Sequence, residues 1–502
     1  MNSSENSQHQ APSIPEFKQI LGHPAPLWML FMSEFWERFA FYGIRWALVL
    51  YVVAQFHNGD ASGQAPANFI YGSYLALVYA SALFGGYVAD RFIGYQRSIL
   101  LGAVFMASGL FMIAYPNPEV FKFGLATIVI GNGMFKPNIS TLVGKLYAAH
   151  DTRRDVGFTI FYMGINTGGL LAPLITGLLA DKIFGSPEFP AYKIVFITAG
   201  IGMILSLIWF AIGRRSLQGV GAPASHAQGM ASVWYVAAAA LAAIPISYLL
   251  LSLDSIKLLI ILMCLFLGLC GVMLREGILG GVIARDKVIA MLVIFIFNMM
   301  FWMFFEQAGS SFTFLADKIV DRNLWGFIFP TGWFQSVNSI AIVALAPVVA
   351  AIWLFLRRFA LEPSIPRKFS FGLIGNGLAF GLLMFALSSL VSANNTIPFW
   401  TLIMVYIIQS AGEACLSPIG LSMVTKLAPV RLAGLGMGGW FLSTGIGNNM
   451  SGIFAAYVSG EKGLSIQSAL EGYTFGFYAL VSAGVFLFLI APFVRKLMHG
   501  VN

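Results

Sequence analysis

Fourteen apolar stretches recur along this chain, beginning near Leu27, Ile70, Ser98, Phe123, Gly157, Ile194, Val233, Ile256, Val288, Phe334, Phe371, Ile397, Ala433 and Tyr473. Each approaches the roughly 20 residues that a helix needs to cross the hydrocarbon core of a bilayer. In lipid, every backbone N–H and C=O must be satisfied within the protein, so such stretches fold as helices packed side by side. Composition agrees: 58% of the 502 residues are hydrophobic, only 10% are charged, and the mean hydropathy is +0.81. That is too apolar for a soluble domain of this length. The formal net charge of +8 does not signal nucleic acid, because the basic residues stand singly or in pairs and form no block with interleaved aromatics. Cys264, Cys270 and Cys415 lie in apolar runs without metal-ligand spacing, and nothing in that spacing pairs them. Residues 1–20 are polar and lack a basic n-region before a cleavable apolar core, so no signal peptide is expected and the first helix directs insertion.

The basic residues also orient the chain. Lys and Arg on alternate connections divide 19 to 7, the remaining three of the 29 being Arg38, Arg45 and Lys136 within the spans. The positive-inside rule then places both termini in the cytoplasm. Residues 216–229, rich in Gly, Ala, Ser and Pro, read as a flexible linker, and the two spans after it (230–275) carry almost no charge inside the lipid. They look like an insert. The expected organisation is a cytoplasmic tail (1–26), a six-helix bundle (27–215), the linker, two inserted helices, and a second six-helix bundle (276–502). Two similar halves around a midplane cavity are a recurrent design of secondary transporters. No phosphate-binding loop of the Walker type occurs, so ATP is not the energy source.

The first span carries the strongest chemical signal. Glu34, Glu37, Arg38, Tyr42 and Arg45 follow one another at i, i+3, i+4, i+8 and i+11, which puts them on one helix face, with Leu30, Phe35 and Ala40 elsewhere. Each charge at bilayer depth costs about 3 kcal/mol on insertion scales, so this stripe faces the interior and reads as a substrate or proton path. The alternative is a buried salt-bridge cluster that only locks helices together. Two carboxylates beside one arginine leave an excess negative charge that a single proton would neutralise. That suits proton coupling.

Other motifs follow in order. Gly86-Tyr-Val-Ala-Asp90-Arg91-Phe-Ile-Gly94-Tyr-Gln-Arg97 is a glycine-spaced charged turn, and its charges could pair across the two halves; it resembles the loop motif of the major facilitator superfamily. With Gly133-Met-Phe-Lys136-Pro137-Asn138, Phe161-Tyr162-Met-Gly-Ile-Asn166, Phe301-Trp302, Glu306-Gln307, Trp333-Phe334-Gln335-Ser336-Val-Asn338 and Gly412-Glu413-Ala-Cys-Leu-Ser417-Pro418 added, the sequence resembles the proton-coupled oligopeptide transporter family. Bacterial members of that family carry such a pair of extra helices. The resemblance implies an all-α major facilitator fold of 14 transmembrane helices in the bacterial inner membrane. It also implies alternating access, import of di- and tripeptides with protons, and no cofactor.

The same resemblance distributes roles. Arg45 and Lys136 would hold the peptide carboxylate, and Glu413, with Asn338, the peptide amine. Glu34, Glu37, Arg38 and Glu306 would serve proton coupling or gating, and a carboxylate at the Glu306 position is able to pair with the fourth-span lysine or an outer gate. Tyr42, Tyr79, Asn166, Trp302, Trp440 and Ser417 would line the pocket, although ordinary packing accounts equally well for any single aromatic among them. Lys136 has a second reading, as the partner of a glutamate, and Glu413 a second, as a protonated buried carboxyl. All six histidines lie in the tail, loops or far C-terminus, so proton coupling would rest on carboxylates. A transporter of the same fold for nitrate or a drug-like amphiphile is the alternative function. A membrane-embedded hydrolase is disfavoured, because no Ser-His-Asp set or Cys and His cluster occurs within the spans.

Overall fold

The computed structural model describes residues 15–148, 151–223 and 229–501; most of the expected N-terminal tail and residues 224–228 of the expected linker lie outside the described residues. Sixteen α-helices account for most of the chain. They are α1 (Ala25–Arg45), α2 (Ala47–Phe56), α3 (Gln64–Val88), α4 (Tyr95–Ile113), α5 (Pro118–Lys145), α6 (Arg153–Leu178), α7 (Tyr192–Gly213), α8 (Met230–Ser252), α9 (Ser255–Leu279), α10 (Val282–Phe305), α11 (Ser311–Lys318), α12 (Trp333–Arg358), α13 (Ile365–Ser389), α14 (Phe399–Leu427), α15 (Ala433–Ser459) and α16 (Ile466–Leu497). Two antiparallel hairpins of two-residue strands, β1–β2 (Gln19–Ile20, His23–Pro24) and β3–β4 (Asn323–Leu324, Phe327–Ile328), complete the fold. Neither hairpin is anticipated by the apolar pattern.

Local chemistry sets several helix starts. Asn117 accepts hydrogen bonds from the Glu119 and Val120 amides while Pro118 fills the first position of α5, a combination that satisfies donors no helical carbonyl can reach. Ser465 and Ser468 form a reciprocal capping box at the start of α16. The charged turn after α3 ends at Gly94, whose φ of +75° is accessible to glycine at little cost. Among the described residues, Asp90 of this turn accepts from Tyr95, five residues on, because the turn folds back on the start of α4.

Among the described residues, eleven helices are long and apolar enough to cross a membrane, or twelve if the bent pair α1 and α2 is one span. α5 and α15 are 28 and 27 residues long but fall outside that group, since glycine and asparagine lower their hydropathy. The expected count of fourteen is therefore not reached by length and hydropathy alone. The first expected span is also not one straight helix but bends by 46° between α1 and α2. Thr176 of α6 accepts from the Trp46 indole at 3.1 Å and donates to the Ala172 carbonyl of its own helix at 2.8 Å, with the Gly43 carbonyl 3.4 Å away, so α6 contacts α1 and α2 at the bend.

Glycine faces bring helices into backbone contact. A Cβ on Gly102 would lie 2.6 Å from the Gly131 carbonyl oxygen, and one on Gly109 would lie 2.6 Å from that of Gly124, so the α4 and α5 backbones approach closely at these two points. At Gly85 of α3 the approach to α5 is closer still, 1.6 Å from the Gly133 oxygen. Small residues at a helix interface permit this approach in lipid. Gly85→Ala must separate the two helices and is expected to destabilise by about 1–3 kcal/mol, the usual range for overpacking. An unchanged thermal midpoint of the purified variant would show that the contact is dispensable.

α8 packs on α5, and α9 on α10 and α15, so the two helices of the expected insert lie against different parts of the bundle. The two larger groups, α1–α7 and α10–α16, meet mainly where α3 crosses α15 and α6 crosses α12. Among the described residues, the side-chain hydrogen bonds between these groups gather at one end. Asn68 donates to Ser459 at 3.0 Å, Gln64 accepts from the Leu464 amide at 2.8 Å, and Trp333 and Ser336 donate to the Leu174 and Leu170 carbonyls at 2.9 and 2.8 Å. Further along α6, Tyr162 and Met163 are 45% and 55% exposed.

Candidate functional site

The charged stripe of α1 is buried. Glu34, Glu37, Arg38 and Arg45 are each at most 6% exposed, because α6 and α7 pack against α1 and leave it no exposed residue. Leu30 and Ala40 are buried as fully as the stripe, so this helix lies inside the protein on nearly all sides.

Within the stripe, Arg38 lies between two carboxylates. Its Nε is 3.2 Å from Glu34, and its Nε and Nη2 both donate to Glu37. Asn132 of α5 adds a hydrogen bond to Glu37 at 3.3 Å. The second oxygen of Glu34 is buried with no hydrogen-bond partner among the described residues. One cation therefore faces two acids, and a net negative charge remains in a medium where uncompensated charge is costly. Arg38 also lies 5.0 Å over the Phe41 ring, a cation–π contact that partly replaces lost hydration.

One helical turn beyond Tyr42, Arg45 crosses to the other half. Its guanidinium donates to Glu306 at 2.7 Å and to the Tyr71 hydroxyl at 3.1 Å. Glu306 opens a short 3-10 turn that links α10 to α11, and this turn can approach because Gly309 sits against the Tyr71 hydroxyl, where a Cβ would be only 1.9 Å away. The turn is held further by Gln335 and Tyr406, which both donate to the Ala308 carbonyl. Glu306 thus pairs with the first-span arginine and not with Lys136. The sequence cannot reveal this, since the partners are 261 residues apart.

That pairing leaves Lys136 without a carboxylate. Among the described residues it forms no ion pair and no side-chain hydrogen bond, and its ammonium lies 4.5 Å from the centre of the Tyr79 ring. Pro137 follows it inside α5, where it removes one backbone donor and weakens the ladder. On the opposite half, Glu413 of α14 accepts from Asn338 of α12 at 3.3 Å, and Asn338 also donates to Ser410 at 2.8 Å. No cation pairs with Glu413 among the described residues. Both Lys136 and Glu413 are partly exposed.

The expected pocket residues divide. Tyr42 lies beside the Arg45 guanidinium, 5.9 Å from its ring centre. Trp302 donates to Asn298, which in turn donates to Ser443 and Thr444 of α15. Asn166 spends its amide on the Tyr162 carbonyl of its own helix. The Ser417 hydroxyl is buried without a partner among the described residues. Trp440, expected on the pocket wall, is instead 5% exposed and packs edge-on against Phe295 and Phe369, with Gly420 leaving room for its ring. In this conformation it belongs to the core, because an indole that large gains more from burial among other rings than from a place at a polar cavity. Tyr71, Asn132 and Asn298 were not anticipated; the available signal was a polar side chain isolated in an apolar run, Asn132 standing one turn before Lys136.

Two groups of helices joined at one end, with charged side chains buried between them, define a polytopic membrane transporter of the major facilitator type. The chain belongs to the POT family, whose sequence profile matches residues 96–467. Peptide transporter YePEPT of Yersinia enterocolitica is 33% identical over 97% of this chain and 98% of its own length. The uncharacterized transporter YclF of Bacillus subtilis is 35% identical, with the same coverage. Among solved structures, a peptide transporter POT in complex with sulfate superposes with a TM-score of 0.80 at 32% identity, covering 96% of this chain and 97% of that one. A POT family transporter in complex with 5-aminolevulinic acid gives 0.80 at 29%, covering 95% and 98%.

Proposed function

We propose that this protein is a proton-coupled symporter that imports di- and tripeptides across a bacterial inner membrane by alternating access, with both termini cytoplasmic and no cofactor. One observation carries the reading. Lys136 and Glu413, opposite in charge and on opposite halves, are each left without an ion-pair partner while every other charge of the site is engaged. A molecule with a carboxylate at one end and an ammonium at the other supplies both missing partners at once, and such charge-assisted bonds are the strong ones. Binding it joins the halves and favours closure around the substrate.

In this reading Glu34, Glu37 and Arg38 carry the proton, and the Arg45–Glu306 pair latches the joined end. Arg45 is then first of all a gate residue and reaches the peptide carboxylate only when Glu306 releases it. Tyr42, Tyr79, Asn166, Trp302 and Ser417 supply apolar wall and hydrogen bonds. Because side chains of many kinds must be accepted, recognition falls on the peptide's termini and backbone.

The testing experiment is uptake of radiolabelled dialanine into proteoliposomes, with and without an inward proton gradient, alongside counterflow into vesicles preloaded with unlabelled peptide. Gradient-stimulated uptake that unlabelled dipeptide suppresses and nitrate does not is the expected result. Uptake that ignores the gradient removes proton coupling from the reading, and absence of counterflow removes the peptide.

A further inference from the structure

Well away from the charged stripe, a composite recess lies where α12 ends, α13 begins and α16 ends. One compartment, about 470 Å³, is walled by Trp353, Leu356, Leu361, Phe371 and Phe488, with Arg367 at its edge. The other, about 300 Å³, shares Pro363 with the first and is lined by Arg357, Glu362, Ser364 and Arg495. The first is aromatic and apolar, with Trp353 stacked on Phe371 and Phe371 against Phe488. The second is cationic. Its one carboxylate, Glu362, is already held by Lys368 at 2.6 Å and lies 3.9 Å from Arg357. Among the described residues neither Arg367 nor Arg495 has a carboxylate partner; Arg367, on the wall of the first compartment, lies 5.1 Å over the Phe488 ring. The Trp353 indole N–H is buried and unpartnered.

Depth decides what can fill such a recess. α12 is a strongly apolar helix that ends at Arg358, and α13 starts at Ile365, so the aromatic compartment opens at the edge of the hydrocarbon and the arginines lie at the headgroup level. An occupant must be apolar on one side and anionic on the other. Arginine forks match phosphate oxygens, and basic recesses between helices at a membrane face suit anionic headgroups.

We propose that this recess is a binding site for one anionic phospholipid, its phosphate against Arg357, Arg367 and Arg495 and an acyl chain along Trp353, Phe371 and Phe488. The site is independent of the peptide-binding reading. It is tested by native mass spectrometry of the full-length transporter released from detergent with phosphatidylglycerol or with phosphatidylcholine of identical chains. Phosphatidylglycerol is expected to be retained at least tenfold more, and Arg357→Gln/Arg367→Gln/Arg495→Gln to abolish the preference. A control that removes equal charge elsewhere, Arg214→Gln/Arg215→Gln/Lys426→Gln, keeps it. Each single substitution in the recess gives a partial loss, which covers the case in which the triple variant does not fold. Equal retention of the two lipids by the unaltered protein, or equal loss in the control triple, overturns the proposal. So does full displacement by millimolar inorganic phosphate, which would mean that the aromatic compartment contributes nothing.

Discussion

Glu37→Gln is expected to reduce uptake driven by a proton gradient to the level of empty vesicles while peptide exchange at equal pH on both sides continues. In the proposed reading Arg38 neutralises one of two carboxylates, and the other would be matched by a proton whenever the cluster is sealed from water. Glutamine keeps the shape and still accepts from Asn132, but it removes the surplus charge permanently. Arg38 retains Glu34 at 3.2 Å, so the variant has a balanced pair and folds. What it loses is the reason for a proton to travel. Exchange needs only the loaded carrier to reorient, which a neutral cluster permits. Uptake by the variant that a pH gradient still accelerates would move the coupling proton to Glu306 or Glu413.

The second large effect concerns the substrate's ends. If Glu413 holds the ammonium, Glu413→Ala removes a charge-assisted hydrogen bond worth about 1.5–3 kcal/mol net, and a free dipeptide should bind roughly ten- to a hundredfold more weakly. The surroundings tolerate the change, since Asn338 keeps Ser410 at 2.8 Å. An N-acetylated dipeptide, which has no ammonium to lose, should weaken far less. Lys136→Ala should show the mirror pattern, with C-amidated peptide affected less than free peptide. Because Glu306 is bound to Arg45, this second test is not confounded by a Lys136–Glu306 pair. Competition of each analogue against labelled dipeptide, at one pH, reads both. Equal weakening of free and N-acetylated peptide in Glu413→Ala would assign that carboxylate to conformation or proton transfer.

Much of this architecture is legible in the sequence because lipid makes charge conspicuous. Glu34, Glu37 and Arg38 stand out in an apolar run, their spacing puts them on one face, and the structure joins them. Helix starts could be placed to within several residues for the same reason, since an apolar run has visible ends. What was not legible depends on distant partners. The bend after Arg45 has no proline at the break, and the Trp46 indole there bonds Thr176, 130 residues away in the sequence. That Glu306 pairs with Arg45 and not with the fourth-span lysine could not be seen without the fold, and Trp440 could not be assigned to the core without knowing that Gly420 faces it. α5 and α15 illustrate a different limit. Their glycines serve helix contact, so the composition that lets them pack also makes them weak as apolar spans.

The glycine seam between α4 and α5 has one more consequence. With backbone against backbone at Gly102–Gly131 and Gly109–Gly124, and the Ile113, Met106 and Ile128 side chains wedged beside them, little room is left for sliding, so the part of α5 before its proline is held to its own half. In the proposed reading Lys136, at the end of that segment, would be the stationary jaw of a caliper, and Glu413 on the opposite half the travelling one. Substrate length would then be gauged by where the second jaw stops, and a molecule too short to span the gap would leave the instrument open however well either end fits.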